Sequence, residues 1–282
     1  MASFAAAAPE LPARGEVLGI PLALGDYDAV LDWVDAMVRL RRPGYLTAAA
    51  VHLVMLAHED REIRDAVLGA SLVVPDGQPL VWALRLLGHR EIRARVYGPD
   101  LMLACCARAA VHGTRMYLYG GRSESALVAL ALNLRRRFPG LQIVGAFAPP
   151  HLDGNSWAPF REPTAEEDRR TVEEIDGSGA DIVWVGTGQP RQELWMARMR
   201  PLLAAPMLVG VGAAFDFHAG LVPQAPPWLG RHGLEWTYRL AREPRRLWRR
   251  YLRYNPRFVA AVAREYAATH RNAAAGRSNL RP

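Results

Sequence analysis

The chain holds 282 residues, half of them hydrophobic, with a formal net charge of +7. That length admits one large domain, or one domain with an appendage, around a sizeable core. Every basic residue is arginine, and Cys105 and Cys106 are adjacent; the pair matches no metal-ligand spacing and no disulfide framework, which excludes a disulfide scaffold and suits a reducing cytosol.

Residues 1–14 are rich in Ala and Pro and read as a loose N-terminus without the basic n-region and long apolar core of a signal peptide. Apolar runs such as Tyr45–Ala57 fall short of the roughly 18 residues a membrane span needs, so a soluble or peripheral protein is expected. Val17–Leu24 reads as a hairpin. Asp26-Tyr27-Asp28 opens an amphipathic helix reaching about Leu40. Asp-x-Asp holds a metal in many nucleotide-sugar transferases; after a glycine and before a helix, Asp at the cap and first turn is the ordinary reading.

Tyr45–Thr47 reads as a strand, Ala48–Ala57 and Asp60–Leu68 as helices, and Leu72–Val74 as a buried strand closed by Pro75-Asp76-Gly77. A carboxylate at the end of a buried strand, beside a glycine, can reach a cleft as a general base; it can also close an Asx-turn. Gln78–Leu87 is an apolar helix, and Pro99-Asp100 starts another that reaches about Val111. The strand Arg115–Tyr119 ends in Gly120-Gly121, either a phosphate cradle at a helix start or a tight turn alone. A helix at Ser123–Phe138, a strand at Leu141–Phe147, a Pro/Gly/Asn-rich surface loop at Ala148–Pro163 and a helix at Ala165–Ile175 follow.

The stretch Asp181–Trp195 (DIVWVGTGQPRQELW) organises the rest. Ile182–Val185 is a β-branched and aromatic run, the mark of a buried strand. Gly186-Thr187-Gly188 breaks it and a helix begins at once, with Pro190 suited to its first turn. Gln192 and Glu193 lie in that turn, near free backbone N–H groups. In an open parallel sheet, ligands bind beyond such strand ends. The turn is not G-x-G-x-x-G, which argues against a dinucleotide oxidoreductase. Met207–Gly212 is another glycine-ended strand, and Asp216 beyond it has the same two readings as Asp76. The recurrent strand–glycine–helix rhythm predicts an α/β fold: a Rossmann-like, mostly parallel sheet with helices on both faces.

From Arg231 to the end there are 13 arginines against Glu235, Glu243 and Glu265. Such an excess suits phosphate, nucleic acid or an anionic membrane. Leu247, Tyr251, Tyr254 and Phe258 share one face of a basic helix, which either lies on a membrane surface or packs on the domain. Residues beyond 270 read as disordered.

Taken together, VVPDG, RLLG, RVYGPDLM, Gly120-Gly121, VGTGQPRQELW, VGVGAAFDFHAG and APPWLGRHGLEWTYRLAREPRRLWRRYL resemble the WecG/TagA/CpsF family, glycosyltransferase family 26, over about residues 15–255. The resemblance implies an inverting, metal-independent enzyme without a cofactor. It would move a sugar from a UDP-sugar to a polyprenyl-diphosphate-linked saccharide for bacterial surface polysaccharide, at the cytoplasmic face of the inner membrane. It divides the chain into a flexible N-terminus (1–14), a catalytic α/β domain (15–234), a membrane-associating helical appendage (235–270) and a disordered tail (271–282). A homo-oligomer is among the states it admits. Carried onto this sequence, Asp76 is the base; Thr47, Arg95 and Gln192 are substrate-site residues; Arg239, Arg242 and Arg246 belong to a cluster over the diphosphate. Gly120, Gly186, Gly188 and Glu193 complete the expected substrate-binding set from the strand-end turns. The chain departs from the family at Thr47-Ala48-Ala49, where Thr-x-Asn is usual. The donor is thereby left open between N-acetylmannosamine, its uronic acid and a plain hexose such as glucose. The alternative class is a basic nucleic-acid-binding or other nucleotide-binding α/β protein, which would bind DNA or RNA in a salt-dependent way.

Overall fold

The computed structural model describes residues 10–149 and 163–278, with the side chains of Arg246 and of residues 272–278 outside that description. Most of the expected N-terminal segment and of the Ala148–Pro163 loop therefore falls outside the described residues. The chain opens with an antiparallel hairpin, β1 (Arg14–Val17) and β2 (Ile20–Ala23), and helix α1 (Tyr27–Arg39) follows. The Asp26 carboxylate accepts from the Ala29 N–H, so the first Asp of Asp-x-Asp is a helix cap.

Next come β3 (Gly44–Ala49), α2 (Val51–Glu59), α3 (Arg61–Leu68), β4 (Leu72–Pro75), α4 (Gln78–Leu86) and α5 (Gly98–His112). Then β5 (Arg115–Gly120), α6 (Glu124–Arg137), β6 (Gln142–Phe147), α7 (Ala165–Ser178), β7 (Ile182–Gly186), α8 (Arg191–Met199) and β8 (Met207–Gly210) complete the α/β part. Four helices close the chain: α9 (Ala214–His218), α10 (Pro227–Arg231), α11 (Glu235–Arg242) and α12 (Pro244–Ser278).

The main sheet has six strands in the order β4-β3-β8-β7-β5-β6, every pair parallel. Its strands are continuous apolar runs because helices cover both faces. Tyr45, Val73, Tyr117, Val183 and Leu208 point into one hydrophobic core. Their neighbours Leu46, Leu72, Leu118, Trp184 and Val209 point into the other. The period of two along each strand feeds both cores. The chain lays down β3–β4 on one side and β5–β6 on the other, then fills the gap with β7 and β8. The carboxyl ends of β3, β8, β7 and β5 thus meet at one crevice.

Two boundaries differ from the sequence expectation. Ala48 and Ala49 belong to β3, in register with Val74 and Pro75, and the helix starts only at Val51. Alanine's helical preference is weak against a buried ladder position. At the far end, α12 continues to Ser278, past the boundary expected at residue 270. Its Leu247, Tyr254, Phe258 and Val262 are buried at 1–5% exposure on the α/β domain, whereas Trp248, Leu252 and Val259 face outward at 45–67%. The basic helix therefore both packs on the domain and presents an apolar outer face.

Candidate active site

Asp76 stands where β4 ends. Its backbone N–H continues the ladder onto the Ala49 carbonyl at 2.9 Å, which fixes the direction in which its side chain leaves the sheet. The carboxylate Oδ1 accepts from the Gly98 N–H at 2.6 Å, 22 residues further along. That partner opens α5, so the interaction is tertiary. Arg95 donates to the Asp76 carbonyl at 3.3 Å and pairs with Glu235 of α11 at 2.7 Å. Burial pushes the Asp76 carboxyl up to about 6, opposed by Arg95, Arg239 and the Gly98 N–H and reinforced by Glu235. A carboxylate poised near neutral pH can take a proton from a hydroxyl.

Two cavities meet at this side chain. A polar cleft of about 140 Å³ is lined by the glycine turns Gly186-Thr187-Gly188 and Gly212, with Gly121 and Arg122 on its wall. An apolar groove of about 480 Å³ runs the other way between α4 and α12, past Trp82, Leu86, Trp236, Phe258 and Val262. Ala50, Asp76, Arg239 and Arg250 line both. Close approach of the turns requires the glycines: a Cβ on Gly120 would meet the Gly186 backbone at 2.7 Å, and one on Gly186 would meet the Phe215 ring at 2.4 Å.

The expected site residues divide into three groups. Asp76, Gly186, Gly188 and Arg239 line the polar cleft, and Arg95 lines the groove beside Asp76 and Arg239. Gly120 packs on the Gly186 backbone, and Arg242 is exposed, its guanidinium 5.3 Å above the Tyr238 ring. The Arg246 side chain lies outside the described residues. Thr47, Gln192 and Glu193 sit one layer below the lining, each fully buried. Glu193 Oε1 accepts from Thr47 Oγ1 at 2.5 Å and from Gln192 Nε2 at 2.8 Å. The Gln192 amide nitrogen lies 2.9 Å from where a Gly210 Cβ would be, which ties the network to β8.

Burial raises the Glu193 carboxyl from 4.5 to about 7, against the two hydrogen bonds and the nearby Arg250 charge. Its second oxygen has no partner among the described residues, so a proton there lowers the cost of burial. Between these two pKa values the folded state binds more protons than the unfolded, so stability falls as pH rises through this window. Glu193→Gln should flatten that fall. Thermal unfolding at pH 5 and pH 8 should show a smaller difference in the variant than in the wild type; an unchanged difference would mean that Glu193 is ionised throughout.

Sequence reasoning named Asp216 and left it with two readings; it forms an ion pair with Arg122 at 2.8 Å. Arg122 and Arg250 were missed. Arg122 had one signal, its place directly after Gly120-Gly121. Arg250 had none beyond the arginine excess of its segment. The three acids of that segment are clips to the domain: Glu235 to Arg95, Glu243 to Arg122 at 3.0 Å, and Glu265 accepting from the Leu18 N–H at 3.0 Å.

The arrangement offers one poised carboxylate between an arginine-bearing, glycine-walled cleft and an apolar groove. The WecG/TagA/CpsF glycosyl transferase family matches residues 15–272. The N-acetylglucosaminyldiphosphoundecaprenol N-acetyl-beta-D-mannosaminyltransferase of Bacillus spizizenii is 31% identical over 206 residues, covering 73% of this chain and 73% of its own length.

Proposed function

The chain belongs to the WecG/TagA/CpsF family and is a glycosyltransferase, and from that premise we propose that it moves an N-acetylmannosamine-like or hexose unit from a UDP-sugar to a polyprenyl-diphosphate-linked N-acetylglucosamine, with inversion and without a metal. The observation that carries this reading is the position of Asp76 at the meeting of the polar cleft and the apolar groove. A nucleotide diphosphate suits the cleft, with its backbone turns and arginines. The first units of a prenyl chain suit the groove. Asp76 then stands between donor and acceptor.

In a single displacement the acceptor hydroxyl gives its proton to Asp76 while its oxygen attacks the anomeric carbon. The bond from that carbon to the UDP oxygen breaks on the opposite face, which inverts the configuration. Arg239 and Arg250, common to both cavities, are placed to offset the charge that develops on the departing diphosphate. Asp26 is occupied as a cap, which supports arginines rather than an Asp-x-Asp metal in that role. At Ala49, where the family pattern has Asn, the side chain is buried in β3 and lines neither cavity.

Among the described residues no helix is long and apolar enough to cross a membrane. Exposed Trp82, Trp236, Trp248 and Leu252 near the groove, with exposed Arg245, Arg249 and Arg253, support a peripheral position on an anionic bilayer, where a lipid-linked acceptor is delivered. The test is transfer from a panel of UDP-sugars to a short-chain polyprenyl-diphosphate N-acetylglucosamine, with and without EDTA. Product formed from UDP-N-acetylmannosamine in EDTA supports the proposal; no transfer from any UDP-sugar would sink it, and EDTA-sensitive transfer would sink its metal-independent part. The groove makes its own prediction. Val259→Asp, at a position 67% exposed, should leave folding and the KM for the UDP-sugar unchanged. The KM for a prenyl acceptor should rise several-fold, and more for longer chains. An equal effect on all acceptors would place the prenyl chain elsewhere.

A further inference from the structure

Arg122 is one of the arginines that line the polar cleft. It leaves the tight Gly120-Gly121 turn at the end of β5, where both glycines hold positive φ, 122° and 83°. This turn is pressed against Gly186, so Arg122 faces the polar cleft together with the Gly186-Thr187-Gly188 turn. Its Nη2 donates to two carboxylates at once: Asp216 Oδ2 at 2.8 Å and Glu243 Oε1 at 3.0 Å. The two acids come from different places. Asp216 is a short, buried residue of α9 in the α/β domain. Glu243 lies between α11 and α12, 121 residues from Arg122. The Arg122 side chain is one-third exposed, and its buried Nε has no partner among the described residues.

We propose that Arg122 binds the diphosphate of the nucleotide-sugar donor, and that the Glu243 carboxylate occupies the same guanidinium until the diphosphate takes it. The proposal rests on the UDP-sugar reading above and adds a residue and a competition to it. An arginine fork with five N–H groups suits oxygens of adjacent phosphates, and Asp216, which lines the same cleft, already sets an anionic oxygen on Nη2. Asp216 keeps the guanidinium aimed. Glu243, on the longer side chain and at a helix junction, is the partner that can yield. Donor binding and the seating of the α11–α12 junction are then linked, and the linkage is reciprocal.

A brace and a competing ligand give opposite signs, and calorimetric titration with UDP separates them. Arg122→Ala should weaken UDP binding by about tenfold or more, the scale of a lost charge-assisted contact. Arg122→Lys should recover only part of it, because the fork is lost. Glu243→Gln should tighten UDP binding several-fold, since a competing charge is gone. Uridine, which lacks phosphates, should bind all four proteins alike. If Arg122→Ala binds UDP as the wild type does, or if Glu243→Gln weakens UDP binding, the proposal is overturned and the pair is a structural brace. If Arg122→Ala does not fold, the Lys and Gln variants decide alone. Wild-type protein that fails to bind UDP would instead overturn the donor reading on which the proposal rests.

Discussion

Replacing Asp76 by Asn should lower turnover by about 10²–10⁴-fold, the usual worth of a positioned general base, with little change in UDP affinity or folding. The amide oxygen can still accept from the Gly98 N–H, so the local geometry survives. Burial raises this carboxyl from 3.8 to about 6, so the folded state holds its proton more tightly than the unfolded state does. The contribution of Asp76 to stability is therefore present at low pH and lost as pH rises through that window. Asn removes this pH-dependent cost, and the variant should be no less stable than the wild type near pH 7. The same shift fixes the acid limb of the rate profile. A base works when deprotonated, so kcat/KM, which reports the free protein, should climb as pH rises through about 6 and level off above it. The limb should vanish in the residual activity of Asp76→Asn. Near-wild-type turnover in this variant, or an acid limb that persists in it, would remove Asp76 from the role of base.

The strands were legible because a parallel sheet buried on both faces leaves continuous apolar runs, and Ile182–Val185 or Leu72–Val74 can be little else. Residues at strand ends were legible for the same reason: Asp76, Gly186 and Gly188 follow the runs directly, and the cleft lies there. What lay beyond reach was direction. Gln192 and Glu193 stand in the first turn of α8, as their spacing showed. Which side of that turn faces the cleft depends on how α8 packs against β3 and β8, and packing buries both residues, Glu193 accepting from Thr47 and Gln192 donating to Glu193. Arg122 was hidden by composition, because one arginine after two glycines carries little weight in a chain whose every base is arginine. Its partner Glu243 is too distant in sequence for any local pattern. The apolar stripe of α12 was visible, but not its division. A helix with apolar residues around most of its girth can meet protein and lipid together, and here Tyr254 and Phe258 go to the domain while Leu252 and Val259 go outward.

That division sets the consequence of removing the appendage. Truncation after Leu234 should abolish transfer and also destabilise what remains. It deletes Arg239 and Arg250, one wall of the groove, Glu235 that pairs with Arg95, and one of the two carboxylates on Arg122. It also uncovers the surface that Leu247, Tyr254, Phe258 and Val262 bury, with Tyr254 edge-on to His52 at 5.1 Å. Each such side chain is worth about 1.5–3 kcal/mol when fully buried, and a domain's whole margin is about 5–15 kcal/mol. A fall in Tm of roughly 10 °C or more is expected at about 2–4 °C per kcal/mol. Loss of vesicle binding by the truncated protein would therefore not isolate the membrane contact. The double variant Trp248→Asp, Leu252→Asp does so, because both side chains face outward and neither lines the cleft or the groove. It should keep the wild-type Tm and the wild-type rate on a water-soluble short-chain acceptor, yet no longer float with vesicles containing phosphatidylglycerol. Unchanged flotation would move the bilayer contact off α12. A truncated protein that kept its Tm and still transferred sugar would show that the site is complete without α11 and α12.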